Sequence, residues 1–378
     1  MSNLHNKNLT DISRRTLLKG AALATVGLTS MRLFSLPAHA AGGELNIIAW
    51  EGYDLNAELA DWRKAKGVTV QSSSMTSQDD VHTPFLAGNP PGIDLAEYNH
   101  AYADLYINEL KIVKPIDRTK VPNYSADNLF DAFFDKPTWF SDGQLWGAPY
   151  IWGMNSIIYN PKRLAPPTSY ADLLAPELKG RIAIWDEPTV MWPIASRVAG
   201  LGEKYPMLTR DEVNTAFAEL GKWRDHARLI ALNMGELINF MVSGEIDAVV
   251  CADPAIIIQA QQQNVELEIA YPKEGAVLWV DAWFMPISCD NAETAEAFIN
   301  EALKPEVQAK VAMAVNQAPV SKKAIEFLDE KSRKRIAFDH VDEMLKAGLP
   351  GIPPAVSETD IASYGDWLQA WQSFKAGK

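Results

Sequence analysis

From Leu45 onward, short apolar or β-branched runs alternate with stretches of helical spacing, and this alternation constrains the fold more than any other feature. Leu45–Trp50 is an apolar run ending in a tryptophan, Leu55–Lys66 has helical spacing, and Val68–Gln71 is short and β-branched. Asp79–Leu86 reads as a helix and Ile93–Tyr98 as a strand. A second series contains strand Arg181–Trp185, helices Val190–Val198, Asp211–Trp223 and Met234–Val242, strand Asp247–Val250, helix Ala255–Gln263 and strand Leu267–Ala270. Such alternation predicts parallel α/β sheets, in which ligands sit beyond the carboxyl ends of the strands. The extended runs near 147–158 and 273–285 separate the two series, so two lobes are expected, hinged there. Helices are expected at Ala292–Ala302, Pro305–Val315 and Lys322–Leu328, and an aromatic helix with Tyr364, Trp367 and Trp371 follows.

The first forty residues have a different character. Arg14-Arg15 precede a small, apolar stretch from Gly20 to Leu36, and Ala38-His39-Ala40 is a small-x-small cleavage site. This is the layout of a removable export signal, and the paired arginines point to the twin-arginine route. A membrane anchor needs about 20 unbroken apolar residues, and Arg32 interrupts this run. The chain of 378 residues has a net charge of −13; the segment 1–40 carries +4, which leaves −17 on the mature part. So acidic a protein repels nucleic acid and anionic lipid. Cys251 and Cys289 are expected as free thiols, since Cys251 ends an apolar run. No two histidines have metal-ligand spacing, and no CxxC, HExxH, GxSxG or Gly-rich phosphate loop occurs. No metal, cofactor or catalytic machinery is expected.

Several stretches carry a family resemblance. Ile48-Ala49-Trp50-Glu51-Gly52-Tyr53, Ala148-Pro149-Tyr150-Ile151-Trp152-Gly153, the run Thr168–Leu174 with Pro176–Gly180, and Tyr271–Gly275 with Trp279-Val280-Asp281 resemble the spermidine/putrescine-binding proteins of ABC importers. The resemblance covers nearly all of 44–378. It implies a periplasmic binding protein of type II: two α/β lobes joined by crossover strands, with the ligand cleft between them. The implied division is a signal peptide 1–40, a discontinuous first lobe 41–150 plus 283–325, a second lobe 154–275, and a C-terminal helical segment 326–378 packing across the lobes. The implied partners are a small cationic amine and a membrane permease. The implied protein is a periplasmic monomer with no catalytic activity.

Position by position, the resemblance places Trp50, Tyr53 and Trp279 on aromatic walls and Asp281 on an amine, with Glu187 or the adjacent Asp186 as the other acidic position. Glu51 adjoins Gly52, which stands where the family often has an acidic residue. Cys251 stands where it often has Trp, and Gln317 near a usual Tyr. From the residues themselves, Trp279 and Asp281 are two apart on an extended run and share a face. Asp186, Glu187 and Asp253 follow strands and precede helices, where carboxylates also cap. Asn99 and His100 follow the Ile93–Tyr98 strand and face the predicted cleft. The chemistry suits a protonated amine, which prefers aromatic faces and charge-assisted bonds to carboxylates. A γ-aminobutyrate-like ligand would instead need an arginine opposite Asp281, with Arg197, Arg224 and Arg228 available. A carboxylate-dependent hydrolase using Asp186 and Asp281 has no motif behind it.

Overall fold

A computed structural model describes residues 43–50, 52–75, 77–88, 91–335, 341 and 350–377. The chain divides into two units, Met1–Ala38 and His39–Lys378, and the fold below is that of the second. The twin arginines and the small-x-small site lie outside the described residues.

In the first lobe β1 (Glu44–Trp50), β2 (Thr69–Met75) and β3 (Leu95–Asn99) form a parallel ladder in the order β2-β1-β3. Leu45 to Ala49 are all buried, as expected of a strand covered on both faces. At the edge, β2 buries only Val70 and Met75 and leaves its serines and Gln71 at least partly exposed. Three short strands, β4 (Val113–Lys114), β5 (Phe140–Ser141) and β6 (Gln144–Leu145), fill out this side. The second lobe repeats the parallel pattern with β8 (Ile182–Trp185), β9 (Leu229–Ala231) and β10 (Ala248–Ala252), in the order β10-β8-β9.

The whole sheet is mixed, not parallel, because the strands between the two ladders run both ways. β7 (Ala148–Tyr159) and β12 (Val277–Pro286) pair antiparallel from Val277↔Asn155 to Trp283↔Ala148. The carboxyl half of β7 also pairs with β10 and with β11 (Glu268–Ala270), and β12 pairs with β3 from Asp281↔Asn99 to Phe284↔Ala96. β13 (Ala318–Pro319) adds to β7 at Trp152 and Ile151. The chain leaves the first ladder along β7 and returns along β12, so the two must oppose each other. Their register slips between Asp281 and Ala282, leaving Tyr150 as the extra residue opposite. That bulge is where Pro149, which has no N–H to give a ladder, is tolerated inside a central strand.

The C-terminal helix Tyr364–Lys375 begins with a capping box formed by Ser363 and Asp366. It buries Tyr364, Trp367, Trp371 and Phe374, spaced 3, 4 and 3 residues apart, on one stripe. Trp367 and Trp371 pack on Phe217 of helix Arg210–His226, and Trp367 also meets Trp192. Burying such rings contributes roughly 2 kcal/mol each. The Tyr364 hydroxyl lies 3.2 Å from that of Tyr102, beside β3. Both cysteines are free and buried. Among the described residues, no helix is long and apolar enough to cross a membrane, and no group of three or more metal-ligating side chains occurs.

Candidate functional site

The strands of both ladders point their carboxyl ends at one cavity of about 320 Å³. Trp50 ends β1, Asn99 ends β3 and Trp185 ends β8; Asn233 and Asp253 lie just beyond β9 and β10. Trp279 and Asp281 enter from β12, and Asn155 from β7.

Four aromatic rings line the cavity: Trp50, Tyr53, Trp185 and Trp279. The Trp279 indole N–H donates to Asn155 Oδ1 at 2.9 Å, which fixes the ring plane. Tyr53 is turned inward by its backbone N–H bond to Trp50 O and stands edge-on to Tyr150, with centroids 5.8 Å apart. Gly52 permits this turn: its φ of +89° belongs to glycine, and a Cβ there would meet Val315 at 3.1 Å. An acidic residue at this position, as in the family pattern, would be strained.

Among the described residues, three carboxylates line the cavity, and they are held differently. Glu187 caps helix Pro188–Val198, its Oε1 accepting from Thr189 N–H at 3.2 Å and Thr189 Oγ1–H at 2.7 Å. Asp253 Oδ1 accepts from Ala255 N–H at 2.8 Å and from the Gln317 side-chain amide. Both cap and cavity roles therefore fall on the same side chains. Asp281 is 4% exposed, and its Oδ1 has no hydrogen-bond partner among the described residues. Burial pushes its carboxyl well above the usual range, and the charges of Asp253 and Glu187 push it further, against a hydrogen bond from Asn99. Among the described residues, no lysine or arginine lines the cavity.

His100 backs the site without a charge. Its Nδ1 accepts from Val280 N–H at 3.2 Å, so Nε2–H donates to Pro350 O at 2.9 Å. Burial lowers its pKa to about 4. The contact seats Pro350, from the C-terminal segment, at the cavity wall.

Of the residues singled out in the sequence, Trp50, Tyr53, Asn99, His100, Glu187, Asp253, Trp279, Asp281 and Gln317 meet at this cavity. Glu51 lies outside the described residues. Asp186 does not line the cavity: its carboxylate accepts from Trp371 Nε1–H at 2.7 Å and Lys375 Nζ–H at 2.8 Å, tying down the C-terminal helix. Neighbours in an extended segment face opposite ways, so only one of Asp186 and Glu187 can face the cleft. Cys251 is buried behind the site, with Tyr170 as its partner, and does not reach the cavity. Trp185 and Asn233 were missed. Trp185 ends a strand as Trp50 does, and that parallel was the available signal. Asn233 was hidden because Leu229–Ala231 is too short to register as a strand.

Residues 59–338 match the family described as bacterial extracellular solute-binding protein. The chain belongs to this family. As a solute-binding protein it is 29% identical over 306 residues to the spermidine/putrescine-binding periplasmic protein of Salmonella typhimurium, covering 80% of this chain and 82% of that one. Among solved structures it is similar to a spermidine/putrescine ABC transporter substrate-binding protein from Streptococcus pneumoniae, with a TM-score of 0.70, 22% identity and coverage of 89% and 99%. A GABA receptor has a TM-score of 0.62 at 17% identity, covering 88% and 98%. Both likenesses establish the two-lobed fold of this solute-binding protein. Because proteins of this fold take chemically different ligands, the ligand must be argued from the cavity.

Proposed function

We propose that this solute-binding protein captures a small di- or polyamine in the periplasm and delivers it to the membrane permease of an ABC importer. The observation that carries this reading is Asp281 Oδ1, which among the described residues is buried without a partner in a cavity lined by Trp50, Tyr53, Trp185 and Trp279, two further carboxylates and no cationic side chain. An ammonium supplies the missing partner. Its methylenes pack on the rings, and each indole or phenol face adds about 0.5–2 kcal/mol of cation–π attraction. A volume of about 320 Å³ suits a short ligand.

The zwitterionic alternative lacks its counter-ion among the described residues. Arg197 is spent on the carbonyls of Gly275 and Ala276, Arg224 on Asp225 and Phe374 O, and Arg228 on Glu245. None of them lines the cavity. Titration calorimetry on the mature protein should therefore give saturable binding of putrescine or spermidine and at least tenfold weaker binding of γ-aminobutyrate, about 1.4 kcal/mol or more. Tighter binding of γ-aminobutyrate, or of any anion, would reverse the assignment.

The rest of the reading follows from this role. The protein binds without turnover and works as a monomer. The lobes, 41–150 with 283–325 and 154–275, close about β7 and β12, with 326–378 packing across them. Arg14-Arg15 and Ala38-His39-Ala40 support export by the twin-arginine route and cleavage before Ala41. Replacing both arginines by lysine should leave full-length precursor in the cytoplasm. Normal periplasmic yield of that variant would refute the route.

A further inference from the structure

Beneath the cavity lies a carboxyl that does not line it. Glu97 sits inside β3 with no exposed surface. The registers Asn99↔Asp281 and Glu97↔Trp283 put Glu97 and Asp281 on one face of the sheet, one cross-strand pair apart. Glu97 Oε2 accepts from Trp50 N–H at 2.9 Å, so the carboxyl also holds the end of β1 that presents the Trp50 ring. Among the described residues its Oε1 has no hydrogen-bond partner, and neither has the Tyr150 hydroxyl.

Among the described residues, the groups facing Glu97 offer no positive charge. β1 contributes the Trp50 N–H and β12 contributes Asp281. β7 contributes the Tyr150 phenol, which is itself influenced by Asp54 and Glu58, and the turn after β1 contributes the Tyr53 phenol. The imidazole of His100, bonded to Val280 beside Asp281, is held neutral by burial. Two carboxyls buried this deeply on one sheet face, with no cation between them among the described residues, resist ionising together.

We propose that Glu97 is a positioning residue of this site: acting through Asp281 and Trp50 without touching the ligand, it makes loading an exchange of a protonated amine for a proton. The inference rests on the cationic-amine reading above. In the empty cleft the Glu97–Asp281 pair retains a proton. When an ammonium reaches Asp281, the carboxyl O–H bond breaks, the proton leaves to solvent, and an ammonium–carboxylate pair forms with the amine still protonated. No electrons are transferred.

The test is calorimetry of putrescine binding to the mature protein between about pH 5.5 and 8, a range in which alkylammonium groups stay charged. Two buffers of different ionisation enthalpy are compared. Affinity should rise with pH, by up to about tenfold per unit, and the apparent enthalpy should depend on the buffer, showing proton release. Glu97→Gln keeps an acceptor for the Trp50 N–H and removes the second acid. It should still bind putrescine, but with a flatter pH profile and less proton release. If that variant does not fold, Glu97→Met, of similar shape, serves for the same comparison. A wild-type affinity that is flat with pH, with heats independent of buffer, overturns the proposal; so does a variant that keeps the wild-type slope, as a purely structural glutamate would. Failure of putrescine and spermidine to bind at any pH overturns the amine reading itself, and this inference with it.

Discussion

Asp281→Asn is expected to abolish amine binding while making the empty protein more stable at neutral pH. Loss of a buried charge partner costs a bound cation 2 kcal/mol or more, roughly a 30-fold or greater loss of affinity. In the empty state the same change removes a carboxylate that burial and the neighbouring Asp253 and Glu187 disfavour. The sign follows from linkage. A carboxyl whose folded pKa is raised is best tolerated when protonated, so its favourable contribution is complete below the unfolded value near pH 4 and is lost as pH rises through the folded value. At pH 7 the variant should therefore melt about 2 °C or more above wild type, and the gap should close towards pH 4. Thermal melts at both pH values, paired with putrescine titration, decide it. A variant that melts lower at pH 7 would show that Asp281 is a structural residue with a partner of its own.

The second large effect is expected at a position with no polar chemistry. Gly153 lies in β7 opposite Trp279 of β12. A Cβ built there would stand 2.6 Å from the Trp279 ring and 2.5 Å from Gln317 Oε1. Its φ is not in the left-handed region, so the glycine is required by close approach and not by backbone conformation. Gly153→Ala must push the Trp279 indole off its bond to Asn155 and disturb the Gln317 amide that meets Asp253. Overpacking of this kind costs about 1–3 kcal/mol. Because the displaced groups are a cavity wall and a carboxylate's partner, putrescine affinity should fall at least tenfold along with stability. Binding unchanged in the presence of a lowered melting temperature would mean that Trp279 does not touch the ligand.

Both predictions concern a site whose residues were largely readable one by one. Trp50, Tyr53, Trp279 and Asp281 stand in quotable stretches, and strand ends followed by helix starts mark Glu187 and Asp253. These signals are local along the chain. Which of two adjacent acids faces the cleft is not local, and the structure gives Glu187 to the cavity and Asp186 to the C-terminal helix. The arginines that kept a zwitterionic ligand open could not be placed from sequence. Each is occupied by a partner at least 17 residues away or by its immediate neighbour, outside the cavity in every case.

The sequence by itself determined the longer strands and helices, the two α/β series and the acidic, aromatic character of the site, because periodicity and capping are properties of short segments; several of the shortest strands, Leu229–Ala231 among them, left no such signal. Only the tertiary structure decided the rest. It made β7 and β12 an antiparallel crossing pair, placed a bulge beside Asp281, and brought Glu97, an acid inside an apparent core strand, to the underside of the cavity. Those outcomes depend on register between strands about 130 and 180 residues apart in the chain. A one-residue shift would turn Glu97 and Asp281 to the other face, and nothing within either strand alone records which register is chosen.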